Sequence, residues 1–504
     1  MSNRTSFVLS ILAAGTLSAL FAAPVGAADP GADPAPGTAA GAAVPAPAAA
    51  DPAPLIGPAA PGGLTADAVA ARALATSPGL RGDLEETIAR HHAVQQARAG
   101  FVPRLSGALS YARSSREDGP ALGNIVVAPP GVAPGTTPDP TQLVALPLAF
   151  PSIVNHYDAT ASVDLPLSDY LLRLPQLVEA AEQDAHAAEL LLAANRLQEA
   201  RDARIAYYDW VKASLQQQVA ARSLGRARTH LGDAQTALAL GTASQADVLA
   251  VEAQVANAEY LLARSQSATQ VQGRRLSVLM HEPAPVAYEI GEDLNAPSAA
   301  GPNPQAEVLL LQRALQRRLE PRVLADNADA QRRRAGATLA SELPRLDASG
   351  SLDYSRPNSR VLPPVDEFRG SWQVGVKLSW SPTDILGNDA SRQATLARAR
   401  QLEAQRDELS DGIALEVKTA LASLQESEVR VGTSERALAA ASESYRVRRE
   451  LFKNGRATST ELTDADTDWS QAQLDAVSAR VDVRAARVKL AHALGEDVDA
   501  EGGR

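Results

Sequence analysis

Residues 455–465 read Gly-Arg-Ala-Thr-Ser-Thr-Glu-Leu-Thr-Asp-Ala, and residues 241–249 read Gly-Thr-Ala-Ser-Gln-Ala-Asp-Val-Leu. Each stretch follows a helical pattern of about 70 residues, 169–240 or 384–454. At about 1.5 Å per residue, each of these helices would extend about 100 Å. After each glycine the pattern resumes for about 35 residues, ending near Met280 or Leu494. The two stretches therefore predict the turns of two long helical hairpins.

Apolar side chains recur every seven residues along both long helices. The positions are Leu224, Leu231 and Leu238 in the first, and Leu424, Val431, Leu438, Tyr445 and Phe452 in the second. This spacing is typical of coiled-coil packing.

The rest of the chain repeats in the same order. Pro103 corresponds to Pro344, Asp169 to Asp384 and Gly241 to Gly455. An insertion of about 26 residues in the Pro- and Gly-rich loop 119–152 accounts for the unequal offsets between these pairs. We expect one helix-strand repeat over residues 63–300 and a second over residues 301–497, with a tail at 498–504. Each repeat is predicted to begin with a helix that leads into a strand, over residues 65–100 in the first and about 304–342 in the second.

Four segments of about nine or ten residues alternate apolar and polar side chains, which predicts strands near 105–113, 157–165, 346–354 and 371–380. Aromatic side chains lie on the apolar face, mostly near strand ends: Tyr111, Tyr157, Tyr354, Trp372 and Trp380. The pattern fits either a soluble sheet with one wet face or tilted strands that cross a bilayer. Four strands cannot enclose a lumen, so the membrane alternative requires several chains to share one barrel.

The N-terminus has the features of an export signal over residues 1–27: Arg4, an apolar run and a small-residue cleavage site. An Ala- and Pro-rich segment, 28–62, is predicted to be a flexible tether. The chain has no cysteine, which leaves no residue for a disulfide or a lipidated-cysteine anchor.

Composition also excludes several functions. A formal net charge of -11 argues against a nucleic-acid binder. No phosphate-binding glycine loop, metal-ligand cluster or catalytic constellation is apparent, so we expect neither cofactor nor metal, and no enzyme activity. His91 and His92 are adjacent, and neighbours on a helix diverge too far to chelate.

The chain resembles the TolC-like outer-membrane efflux proteins from about Leu64 to Asp497. The resemblance rests on the Pro-Arg-Leu strand starts at 103–105 and 344–346, the strand exits at 166–169 and 382–384, and both glycine turns. It implies a trimeric α-barrel of coiled-coil helices that continues into a shared outer-membrane β-barrel of about twelve strands. It also implies a periplasmic adaptor and an inner-membrane pump as partners, outer-membrane lipid around the barrel, and a passive duct for efflux or type I secretion. Relatives with a lipidated cysteine form a subgroup from which this chain departs.

Three acidic residues after the second turn share one helix face: Glu461, Asp464 and Asp468. A capping box with Thr458 explains Glu461 alone. By the resemblance, Glu461 and Asp464 correspond to an acidic ring at the periplasmic gate, where several carboxylates would repel one another and attract cations.

The resemblance also assigns Asp247 to a contact between hairpins, whose usual partner is a tyrosine. Here Phe452 occupies the tyrosine position, so that hydrogen bond cannot form and we expect hydrophobic packing instead. The adaptor-contacting tips would be the two turns: Gly241, Thr242, Ala243, Ser244, Gly455, Arg456, Ala457 and Thr458.

Two other functions remain open on the residues alone. A periplasmic adaptor has one helical hairpin, whereas two are predicted here. A structural coiled-coil protein of the envelope would not need strands with an apolar face.

Overall fold

The computed structural model describes residues 57, 59–116, 123–127, 137, 139–147, 152–282, 287–296, 307–362 and 364–497. The predicted signal at 1–27, most of the tether at 28–62, the tail at 498–504 and much of the 119–152 loop lie outside the described residues.

The described residues in the first half of the chain form five α-helices and four strands. They are α1 Ala66–Thr76, α2 Pro78–Ala99, β1 Arg104–Arg113, β2 Asn124–Val127, β3 Val144–Pro147, β4 Asn155–Pro166, α3 Leu167–Leu171, α4 Arg173–Ala239 and α5 Gln245–Leu279. The second half follows a similar order: α6 Glu307–Arg317, α7 Glu320–Ala340, β5 Arg345–Arg356, β6 Arg369–Ser379, α8 Asp384–Lys453 and α9 Ser459–Ala493.

The long helices agree with the sequence prediction, and the shorter ones differ in one respect. The helix predicted over 65–100 breaks between α1 and α2, where the Ser77 hydroxyl accepts a hydrogen bond from Leu80 N at 3.3 Å. Pro78 follows as the first residue of α2, a position that needs no backbone donor. The helix predicted over 304–342 breaks before Glu320, and Pro321 lies in the first turn of α7.

The four predicted strands form one antiparallel sheet in the order β1-β4-β5-β6. Its register pairs Leu105 with Val163 and Leu352 with both Ala161 and Trp372, so the apolar residues of all four strands share one face. On the opposite face, the hydroxyls of Ser106 and Ser162 are 2.7 Å apart. The alternation therefore identified both faces correctly.

The 119–152 loop contains structure that the sequence analysis missed. Within its described part, β2 and β3 form a separate antiparallel pair in which Val127 is opposite Val144. Four residues per strand are too few for an alternation to stand out.

The helices pack as neighbours in the order α5, α4, α9, α8, and α7 contacts α4 and α8 closer to the sheet. The seven-residue seam of α8 packs on α9: Leu438, Tyr445 and Phe452 contact a cluster with Leu462 and Trp469. Elsewhere alanines from α1 and α4 pack around Tyr207 and Trp210. Among the described helices, none is long and apolar enough to cross a membrane.

Candidate functional site

The two hairpin turns have the same backbone geometry. Gly241 and Gly455 have φ values of 73° and 66°, in the left-handed region that favours glycine. In the first turn Thr242 N donates to Ala237 O at 2.9 Å, and in the second Arg456 N donates to Leu451 O at 2.8 Å. In both turns the donor lies five residues after the acceptor. This bond is typical of the Schellman motif, in which a glycine just beyond the end of a helix adopts a left-handed conformation. Both predicted tips are thus largely exposed turns of the same geometry.

Each returning helix begins with a capping box. The Thr458 hydroxyl accepts from Glu461 N at 3.2 Å, and Glu461 Oε2 accepts from Thr458 N at 2.8 Å. Ser244 and Asp247 make the corresponding bonds at 3.2 and 2.9 Å. These bonds from Thr458 lower the pKa of Glu461, and those from Ser244 lower the pKa of Asp247. Capping therefore explains both acids in the same way.

The other two acids of the predicted gate have a different environment. Asp464 and Asp468 are exposed on α9. Among the described residues, neither takes part in a hydrogen bond or ion pair, whereas Glu461 lies 3.9 Å from the Arg448 guanidinium. Helix capping and local ion pairs therefore explain Glu461 but not Asp464 or Asp468.

Asp247 and Phe452 have separate surroundings. Within the described chain, the Asp247 carboxylate accepts hydrogen bonds from the backbone N and the hydroxyl of Ser244 in its own turn. Phe452 is half-buried and packs within the second hairpin, beside Tyr445 and Trp469. The structure does not bring Asp247 and Phe452 together.

A buried ion pair joins the two hairpins, and the sequence analysis missed it. Arg226 Nε on α4 lies 2.5 Å from Asp466 Oδ1 on α9, and Asp466 is only 1% exposed. Arg226 Nη2 also donates to Ser470 Oγ at 2.6 Å, and its guanidinium lies 4.3 Å from the Trp469 ring centre. The signal was present in the sequence, because Asp466 interrupts the buried stripe Leu462, Ala465 and Trp469.

A second polar contact joins α4 to α8. His230 Nε2 lies 2.9 Å from Tyr445 Oη, and both side chains are buried. The Tyr445 ring stacks on Trp469 with centroids 4.8 Å apart. Burial raises the pKa of Tyr445 to about 12, so its hydroxyl stays protonated. The seven-residue spacing predicts Tyr445 as an apolar seam residue and carries no sign of its polar partner.

The sheet presents a broad apolar face to its surroundings. Leu109, Val374 and Val376 are exposed on it, as are all five predicted aromatics. Tyr111 and Tyr157 pair at 5.0 Å between ring centres at one end of the sheet. At the other end, Trp380 Nε1 donates to Glu342 O at 3.1 Å. Aromatic side chains with polar tips thus border the apolar face at both ends.

Comparison with known proteins identifies the family of this chain. The profile of the outer membrane efflux protein family matches residues 69–280 and 310–496. The chain belongs to this family. It is an outer-membrane efflux channel.

Solved structures share the fold of this efflux channel. Crystal structures of CusC match with 16% identity, covering 86% of this chain and 92% of that chain, at a TM-score of 0.71. VceC from Vibrio cholerae matches with 18% identity, 86% and 96% coverage and a TM-score of 0.67. The open state of MtrE from Neisseria gonorrhoeae matches with 17% identity, 86% and 89% coverage and a TM-score of 0.67. No curated protein sequence matches this chain significantly.

The assignment settles two expectations from the sequence. The efflux channel is a passive duct and not an enzyme, as predicted. The adaptor alternative has no support in the family or in the structural neighbours.

Proposed function

We propose that three copies of the channel assemble into a homotrimer. The observation that carries the proposal is the open sheet. In the described chain, β1 and β6 each pair on one side only, and the sheet exposes an apolar face. Lipid offers no hydrogen bonds to an unpaired strand edge. Joining β1 of one chain to β6 of the next would close a barrel of about twelve strands in the outer membrane.

The outermost helices support the same assembly. On α5, the exposed side chains Leu249, Tyr260 and Val271 fall on one helix face, because eleven residues make about three turns. On α8, Leu415, Ala422 and Val429 are exposed at seven-residue spacing and form a similar stripe. These two helices lie at opposite ends of the packing order α5, α4, α9, α8. Contact between α5 and the next chain's α8 would bury both stripes and close a helical tunnel.

The assembled tunnel would cross the periplasm and receive substrate from an inner-membrane pump through an adaptor. The helices α4 and α8 contain 67 and 70 residues, so each extends about 100 Å from the sheet toward the turns. The two turns, residues 241–244 and 455–458, lie at the ends farthest along these helices from the sheet. They are the adaptor-contacting tips in this proposal.

Asp464 and Asp468 would form the periplasmic gate, with Glu461 at its rim. Three chains would bring six unpaired carboxylates of these two positions together, and such a ring repels itself and concentrates cations. Phe452 would contribute hydrophobic packing near the closed gate, and Asp247 would fix the start of α5. If Phe452→Ala leaves single-channel conductance and opening unchanged, the role of Phe452 is wrong.

The N-terminal residues 1–27 would be removed on export. Mass spectrometry of the purified channel should then find Ala28 as the first residue. Retention of the leader in the membrane-inserted channel would contradict this.

Crosslinking in cells tests the whole proposal. Mild crosslinking should trap a trimer together with an adaptor and a pump, and the purified trimer should conduct ions in planar bilayers. A monomer without conductance would contradict the shared barrel. Two single-cysteine variants provide a matched comparison, one at Ala243 in the first turn and one at Gln266 on α5. The cysteine at Ala243 should crosslink to the adaptor, and the cysteine at Gln266 should not.

A further inference from the structure

The contact between His230 and Tyr445 places a titratable group between the two hairpins. His230 is 5% exposed and lies on α4 of the first hairpin, while Tyr445 lies on α8 of the second. The rings are 5.9 Å apart between centroids, and the Nε2–Oη distance is 2.9 Å. The remaining ring nitrogen, His230 Nδ1, is buried without a hydrogen-bond partner among the described residues. Adding a proton there would create a buried charge with no local acceptor.

Charged groups face His230 from three helices. They are Arg226 and Asp233 on α4, Arg449 on α8 and Asp466 on α9. The Asp466 carboxylate already pairs with Arg226, so it offers little to a second cation. Burial, together with Arg226 and Arg449, lowers the pKa of His230, and the two acids oppose this only in part. The packed arrangement therefore favours the neutral imidazole.

We propose that His230 makes the contact between the two hairpins responsive to protons, so that acidification favours the separation of α4 from α8. Separation would let water reach the imidazolium and would break the hydrogen bond to Tyr445. In the assembled duct it would loosen the periplasmic end, and this last step rests on the proposed function.

The direction follows from proton binding. The packed state holds His230 with a pKa below the ordinary 6.5, and the separated state restores the ordinary value. The contact is thus at full strength above about pH 6.5 and weakens as the pH falls below it. One proton per chain changes the ratio of packed to separated states by at most about tenfold per pH unit.

A distance measurement on the full-length channel tests the contact directly. The sequence has no cysteine, so Thr229→Cys on α4 and Ser444→Cys on α8 add the only two thiols for spin labels. Both positions are exposed and adjoin His230 and Tyr445. Labelled chains are co-expressed as a minority with unlabelled chains, so that each trimer carries at most one pair. The separated population should grow from pH 7.5 to pH 5.5.

The matched control carries His230→Gln, because an amide can hold Tyr445 and does not titrate in this range. Its label distance should stay constant across the same pH values. The proposal is overturned if the distance in the channel with native His230 does not change. It is also overturned if the His230→Gln channel changes equally, since another group would then be responsible.

Planar bilayer currents separate this inference from the proposed function. No current at any pH would contradict the proposed duct and leave the distance test intact. Current that rises on acidification with native His230 and not with His230→Gln supports the inference. Equal pH dependence in both would overturn it.

Discussion

Arg226 and Asp466 form an ion pair that joins the first hairpin to the second, with Nε and Oδ1 2.5 Å apart and Asp466 withdrawn from solvent. This acid lies two residues from Asp464, yet it faces the opposite way, because two helical positions differ by about 200°. Near the start of α9, Asp466 therefore connects the two hairpins, whereas Asp464 and Asp468 are exposed and remain available for a gate.

Arg226→Met should destabilise the hairpin contact by about 3–5 kcal/mol, because it leaves the buried Asp466 carboxylate without a counter-charge. The thermal melting temperature of the purified trimer should fall clearly. Arg228→Met is the matched control: Arg228 pairs with Glu259 at the surface. An exposed pair contributes at most about 1 kcal/mol. Equal melting of the two variants would contradict the structural role of Arg226.

Tyr445→Phe should weaken the contact between the two hairpins by about 1 kcal/mol. It removes the hydrogen bond to His230 while keeping the ring stacked on Trp469. Trp469 fluorescence and thermal melting report the change. Tyr170→Phe serves as the control, since the Tyr170 hydroxyl is buried without a partner among the described residues. Removal of the Tyr170 hydroxyl should not destabilise the channel. The prediction is wrong if Tyr170→Phe lowers the melting temperature more than Tyr445→Phe does.

Gly455→Ala should destabilise the second turn by about 1–2 kcal/mol, because φ is 66° there and a Cβ disfavours the left-handed region. Gly432→Ala, in the middle of α8 with open space around the added methyl, should instead stabilise the helix by about 0.5–1 kcal/mol. Circular dichroism melting compares the two. The turn geometry would be misassigned if both substitutions shifted the melt in the same direction.

Val374→Arg should impair assembly, because Val374 lies at the centre of β6 on the exposed apolar face. A charge at that depth in lipid costs about 2–4 kcal/mol. Gly375→Arg places the same charge on the opposite face, where nothing lies within 4 Å of an added Cβ. The yield of heat-resistant trimer in outer membranes measures both. Equal yields of heat-resistant trimer from the two variants would contradict lipid contact at the face that carries Val374.

Asp464→Asn combined with Asp468→Asn should lower the cation selectivity of the duct, because it removes up to six carboxylates from the gate of a trimer. Reversal potentials in asymmetric salt measure this change. Glu461→Gln should alter selectivity less and should weaken the start of α9, since Glu461 caps that helix.

The helix cap formed by Thr458 and Glu461 should depend on pH. Because the pKa of Glu461 is lowered from 4.5, its stabilising effect is complete above about pH 4.5 and is lost as the pH falls further. The protection factors for hydrogen exchange at residues 458–462, taken relative to the intrinsic exchange rate at each pH, should therefore fall in acid. The Glu461→Gln variant should show no such fall, and an equal fall in both proteins would assign the effect to another group.

Much of the fold could be predicted because its signals are local. Unbroken helical periodicity determined α4 and α8 to within a few residues, and strict alternation determined which side of each strand is apolar. The capping box of Thr458 and Glu461 was likewise visible at a spacing of three residues. The breaks at Ser77 and Glu320 were missed, because a proline near a helix start is compatible with either one helix or two.

What the sequence alone determined is the set of elements and their faces: two long hairpins, four strands with one apolar side, and an exposed glycine turn on each hairpin. The tertiary structure decided which helices are neighbours, and so which polar residues meet. Arg226 and Asp466 are 240 positions apart in the chain, and His230 and Tyr445 are 215 apart. No periodicity links residues at such distances, because the pairing depends on how α4 lies between α5 and α9.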